Sequence, residues 1–180
     1  KLLGVAKNTE DGIEVKVHPM LIPNNHPLAN VNDAFNAVFV HGKAMDDAMF
    51  MGRGAGQMPT ASAVVGDIID VCRNIVHDFC GRIGCCCYKN LEVKDITDTK
   101  SKFFLRLEVA DKQGVLANIA SVLGNSGVSI AQVVQKSGKD GVAELVIITA
   151  EVLEKNFNDA MAVFKGLSAV KNIAGVIRVY

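Results

Sequence analysis

The stretch Val109–Ile130, VADKQGVLANIASVLGNSGVSI, decides the fold. It leaves a strand at Val109, turns through Asp111, Lys112, Gln113 and Gly114, and enters a run with helical spacing. Val115, Leu116, Ile119, Ala120 and Leu123 fall on one face of that run, which stops at Gly124–Gly127 before a second strand begins. Upstream, FFLRLEVAD alternates, with Phe103, Leu105, Leu107 and Val109 facing one way and Phe104, Arg106 and Glu108 the other. Downstream, VSIAQVVQK reads as a strand, SGKDG as a turn and VAELVIITA as another strand. LEKNFNDAMAVFKGL is a helix carrying Phe157, Ala160, Met161, Phe164 and Leu167, and VIRVY closes as a last strand. The order β-α-β-β-α-β from Phe103 to Tyr180 is a split βαβ unit, an α+β arrangement. Its two helices cover one face of the sheet and leave the other to a partner.

The part before this unit reads differently. LLGVA, GIEVKVHP and NAVFVHG are short strand-like runs bounded by Gly, Asn and Pro. MLIPNNHPLANVND, with two prolines, predicts an extended loop, and NAVFVHG with AMFMG predicts an antiparallel hairpin. Then comes FMGRGAGQMPTASAVVGDIIDVCRNI, Phe50–Ile75, with glycines at positions 52, 54 and 56 ahead of an amphipathic helix. Ala61, Val64, Val65, Ile68, Ile69, Cys72, Ile75 and Val76 make its apolar face; Pro59 suits its entry, Thr60 or Ser62 its cap, and Gly81 and Gly84 its end. The glycines either let a backbone approach a phosphate or only turn a strand into a helix. YKNLEVKDITDTKSK is polar and charged, a linker with at most a short strand.

Composition sets outer bounds. The 180 residues are 49% apolar and 21% charged, enough for a core, and the 19 basic and 19 acidic residues cancel. That balance offers no footprint for nucleic acid or an anionic membrane, and no apolar run reaches the ~20 residues of a bilayer span. The beginning at Lys1 lacks a signal peptide and reads as cut from something longer. The five cysteines, Cys72, Cys80 and Cys85–Cys87, are no secreted disulfide framework, so a cytoplasmic setting is expected. With His77 they fit no zinc spacing; free thiols and no metal are the expectation. Lys7, Glu14 and Lys16 are read as solvated surface, and His18, His26, His41 and His77 as structural or surface residues.

The β-α-β-β-α-β unit with VADKQGVLANIASVLGNSGVSI resembles an ACT domain, a ferredoxin-like module that regulates amino-acid metabolism. The resemblance implies an amino-acid effector, threonine above all, held at the interface between two ACT domains, between this turn and residues at the start of the second strand. It nominates Asp111, Gly114, Val115, Leu116, Asn125, Ser129, Ile130 and Gln132. The free N–H groups of a helix start suit the effector carboxylate.

VHPMLIPNNHPLANVNDAFNAVFVHG followed by GRGAGQMPTASAVVGDIID resembles the C-terminal end of the catalytic region of homoserine dehydrogenase, whose bacterial forms go on to an ACT domain. Residues 1–90 are then the end of a catalytic sheet domain, 91–101 a linker and 102–180 the ACT domain. The family interconverts aspartate 4-semialdehyde and homoserine with NADP or NAD. The resemblance implies cofactor contacts at Gly52, Arg53, Gly54, Gly56 and Thr60. The family's Rossmann half and its catalytic lysine and acids lie N-terminal to this region, so the chain alone is expected to hold no cofactor and no catalytic residue. It is expected to form a homodimer or larger homo-oligomer. The competing reading is a stand-alone amino-acid-binding or dimerisation module.

Overall fold

The computed structural model describes residues 1–79, 89–136, 138 and 140–180; Cys80, Gly81, Gly84 and Cys85–Cys87, named above, lie outside them. The chain is α+β and forms two compact units, Lys1–Ile22 with Leu91–Tyr180, and Pro23–Asn90. The division into 1–90, 91–101 and 102–180 is therefore not that of the compact units.

In the first unit, strands β1 (Leu2–Thr9) and β2 (Gly12–Leu21) form a hairpin. Strands β5 (Lys100–Ala110), β6 (Ile130–Lys136), β7 (Val142–Thr149) and β9 (Val170–Val179), with helices α2 (Val115–Asn125) and α3 (Glu154–Gly166), make the split βαβ unit. A two-residue strand β8, Val152–Leu153, pairs with the start of β5. The sheet order is β1-β2-β9-β5-β7-β6. The four strands of the unit thus lie as expected, and β2 extends the sheet by pairing in parallel with β9 at Met20–Arg178 and Leu21–Val179. The linker is held to this unit: Ile13 N–H donates to Glu92 O and Lys94 N–H to Ile13 O, both at 2.9 Å.

Strand alternation and helix period meet in one core. Phe103, Leu105, Leu107 and Val109 from β5 and Ala143, Leu145 and Ile147 from β7 are buried against Val115, Ile119 and Leu123 of α2. Helix α3 adds Phe157, Ala160, Met161 and Phe164, with the Phe103 and Phe157 rings stacked at 3.6 Å. Burying an aliphatic or phenyl side chain contributes about 1.5–3 kcal/mol, so this cluster dominates the unit's stability. On the uncovered part of the sheet Val133, Val134 and Val176 stay more than a third exposed.

Strand β2 overturns one expectation. Glu14, Lys16 and His18 are buried, while Val15, Val17 and Leu21 of the same strand face outward. Period-two alternation puts Glu14, Lys16 and His18 on one side, and partners from distant elements make that side a polar interior. Lys7, by contrast, is exposed as expected.

In the second unit, β3 (Phe35–Gly42) and β4 (Asp46–Arg53) form the expected hairpin, with Asn36 opposite Gly52. The loop before it holds one short 3-10 turn, Pro27–Asn30. Helix α1 (Gln57–Val76) starts earlier than Pro59 suggested: Gly56 is its N-cap, no side chain caps it, and Thr60 N–H donates to Gly56 O at 3.1 Å. Neither Thr60 nor Ser62 is a cap, because proline is tolerated anywhere in a first turn and marks no unique start. The helix stops at Val76, with His77 as C-cap and Asp78 in the left-handed region, ahead of the expected glycines. None of its residues is buried, and Val64, Val65, Ile68 and Ile69 are about half exposed.

Candidate cofactor turn and effector site

The glycine turn joins β4 to α1, and its three glycines differ physically. At Gly54 a Cβ would fall on the Asn36 amide, and its N–H donates to Ala34 O at 2.9 Å. Gly56 has φ +130, and a Cβ there would lie 3.2 Å from the Pro59 ring. Gly52 faces open space. Arg53 lays its guanidinium over the Phe35 ring at 5.0 Å. Gly54, Gly56, Thr60, Ala61, Val64 and Val65 line a shallow apolar concavity at the start of α1. With no side-chain cap, the first amides of α1 point out of the helix start, where partial positive charge accumulates. A phosphate-bearing dinucleotide fits that chemistry: bare backbone for close approach, N–H donors and an apolar wall.

At the head of α2, Gly114 is the N-cap in the left-handed region (φ 82), without a side-chain cap. Asp111 N–H donates to Gly141 O at 2.9 Å, Val115 N–H reaches Lys112 O at 3.4 Å, and Asn118 N–H donates to Gly114 O at 3.0 Å. The amides of Leu116 and Ala117 lie between these in an uncapped first turn, the arrangement that receives a carboxylate. Asp111, Gly114 and Leu116 are exposed, and Val115 is buried in the core.

The nominated effector residues form two clusters rather than one. Ala110, next to Asp111, pairs with Val142 at one end of β7, whereas Ile130 pairs with Thr149 at the other. Helix α2 runs between the clusters; its 11 residues span ~16 Å. Asp111, Gly114, Val115 and Leu116 lie at its start, and Asn125, Ser129, Ile130 and Gln132 at or beyond its end. One copy of the chain does not bring them together.

A third constellation escaped the sequence reading. Arg178 of β9 clamps Glu154, the first residue of α3, through Nε and Nη2 at 2.6 and 2.7 Å. Ser101 Oγ donates to Glu154 Oε1 at 2.9 Å. Lys16 Nζ donates to Lys100 O at 2.8 Å and Ser101 Oγ at 3.0 Å, with Glu14 at 3.7 Å and Glu154 at 4.0 Å. Burial opposes ionisation of Glu154, but the hydrogen bonds from Arg178 and Ser101, with the charges of Arg178 and Lys16, outweigh it and hold the carboxyl below its ordinary range. For Lys16 burial wins over the attraction of Glu14 and Glu154, and its pKa is lowered. The one sequence signal was the polar alternation Glu14-x-Lys16-x-His18. Among the described residues no group of three or more His, Cys, Asp or Glu side chains converges as a metal site, and no helix is long and apolar enough to cross a membrane.

Comparison with known proteins resolves both halves. Residues 1–69 match the homoserine dehydrogenase family model and residues 97–178 the ACT-domain model. The chain is 38% identical, over 99% of its length, to the homoserine dehydrogenase of Pseudomonas aeruginosa and covers 43% of that protein. To the enzyme of Corynebacterium glutamicum it is 40% identical over 96% of its length, covering 38% of it. A solved homoserine dehydrogenase from Thiobacillus denitrificans superposes over 100% of this chain and 42% of its own, at TM-score 0.88 and 38% identity. One from S. aureus superposes over 100% of this chain and 41% of its own, at TM-score 0.59 and 26% identity. The chain thus spans about two fifths of the length of these relatives. Its two segments thus match, in order, the homoserine dehydrogenase and ACT-domain family models, and the whole chain is similar to the corresponding part of these homoserine dehydrogenases.

Proposed function

We propose that this chain is the C-terminal portion of a cytoplasmic homoserine dehydrogenase that interconverts L-aspartate 4-semialdehyde and L-homoserine with NADPH or NADH. The observation that carries this reading is the presence of both family matches, in order, in one chain. When bound, the nicotinamide cofactor supplies the hydride. This chain's share of that chemistry is positioning: Gly54 and Gly56 keep the turn bare, Gly52 and Arg53 flank it, and Thr60 lies in the first turn of α1 beside the same concavity.

The ACT domain senses an end product of the pathway, with threonine the favoured effector. Two copies pair so that Asp111, Gly114, Val115 and Leu116 of one face Asn125, Ser129, Ile130 and Gln132 of the other. The separation of these clusters within one copy supports a site shared between copies. Effector binding then biases the catalytic half by about 1–3 kcal/mol, the usual range of allosteric coupling. Two measurements test the reading on the 180-residue chain. With semialdehyde and NADPH it is expected to show no turnover; enzyme-like rates would overturn the assignment of catalysis to the rest of the protein. Calorimetric titration with threonine, methionine, isoleucine and lysine is expected to give heat with threonine, and silence for all of them would leave a purely structural ACT pair.

A further inference from the structure

We propose that the cavity between the β1–β2 hairpin, the start of β5 and the end of β9 binds a short aliphatic carboxylate that also carries a hydroxyl donor. This site is separate from both sites of the proposed function and does not rest on them. The cavity holds about 210 Å³, below the usual range for drug-sized ligands and suited to a small metabolite. Val5 and Met20 supply apolar wall, Lys7, Lys102 and Glu151 line it as well, and Lys102 Nζ donates at 3.5 Å to the O of Tyr180, which also lines it. Lys16 also lines it, but its ammonium is already engaged by Lys100 O, Ser101 Oγ and the carboxylates of Glu14 and Glu154. A carboxylate entering here therefore meets the exposed Lys7 and Lys102.

His18 supplies the second, independent observation. It is only 7% exposed and forms part of the cavity wall. Its Nδ1 lies 3.1 Å from Pro19 O, an oxygen that can only accept, so Nδ1 carries the proton and donates. In the neutral ring Nε2 is then an acceptor, and it is buried without a hydrogen-bond partner among the described residues. Burial, with the nearby charges of Arg178 and Lys16, lowers the His18 pKa against the Pro19 hydrogen bond and Glu154, which keeps the ring neutral at pH 7. A buried acceptor left unmade is costly. A ligand hydroxyl donating to Nε2 while its carboxylate meets the lysines satisfies both features.

The probes are 3-hydroxybutyrate and butyrate, which differ by that hydroxyl, titrated into the 180-residue chain while the His18 ring nitrogens are followed by long-range ¹H–¹⁵N NMR. The expected result is a saturable Nε2 shift with 3-hydroxybutyrate and affinity about tenfold weaker for butyrate, the loss of one good hydrogen bond. Lys7→Gln with Lys102→Gln, both at exposed positions, is expected to weaken binding of both probes without disturbing the free protein's spectrum. No saturable shift, equal affinity for the two probes, or binding indifferent to the lysine substitutions would each overturn the proposal and leave the cavity to water.

Discussion

At the scale of single residues, the glycine turn shows that equal residues in one motif carry unequal constraints. Gly54 has Asn36 where its side chain would be, Gly56 has a backbone angle that L-residues rarely adopt, and Gly52 has open space. Gly54→Ala is therefore expected to destabilise the chain by about 1–3 kcal/mol through overpacking. Most of that loss should return in the double variant Gly54→Ala with Asn36→Ala, because the obstacle is a side chain and not the backbone. Gly52→Ala should stay within about 0.5 kcal/mol of the parent. Urea titrations of the four proteins decide it, and a Gly54→Ala chain as stable as its parent would show that the turn is not tight. The sequence displayed the three glycines but not their ranking. That ranking depends on the register of β3 against β4, which sets Asn36 beside the turn.

At the scale of elements, β2 is the instructive case. Val15, Val17 and Leu21 point out while Glu14, Lys16 and His18 point in, because Ser101, Glu154 and Arg178 arrive from β5, α3 and β9 to meet the charged groups. Replacing Arg178 by Met removes a bidentate partner and leaves Glu154 buried with Ser101 and Lys16, a change that costs about 3 kcal/mol. The pH dependence has a definite sign. The folded-state pKa of Glu154 lies below its ordinary value of 4.5, so its stabilisation is complete above that pH and is lost as pH falls through the folded value. Denaturation of the parent at neutral pH and in acid should show this loss, and in Arg178→Met the acid-dependent part should shrink. An unchanged acid profile would mean that the clamp carries no net stability. Helices α2 and α3 and strand β5 were legible beforehand because their burial follows the local period, Val115–Ile119–Leu123 and Phe103–Leu105–Leu107. The buried face of strand β2 was not, since its interior is polar only by virtue of residues more than 80 positions away, such as Ser101 beside Lys16. The start of α1 was missed for a local reason: Gly56 caps without a side chain, and Pro59 fits inside a first turn.

At the scale of the whole molecule, the effector reading stands or falls on whether the site is shared between copies. The turn at Asp111 and the strand start at Ser129 lie at opposite ends of α2, ~16 Å of helix apart, farther than a free amino acid reaches. A site needing both must take one cluster from each of two chains, and a symmetric pair then holds two such sites. Asp111→Lys and Ser129→Lys change exposed residues outside the core, so each variant is expected to fold and pair normally. Each alone spoils both sites of its homodimer and should lose threonine binding. Mixing the two and letting the chains exchange creates pairs in which one site combines the intact cluster of each chain, so binding should return at one site per mixed pair. Calorimetry before and after mixing reads this directly, with sedimentation to verify that the chains are paired. If threonine binds either variant with parent affinity, that cluster is not part of the site. If both variants lose binding and mixing restores none, the two clusters do not act across copies, and the shared-site proposal fails.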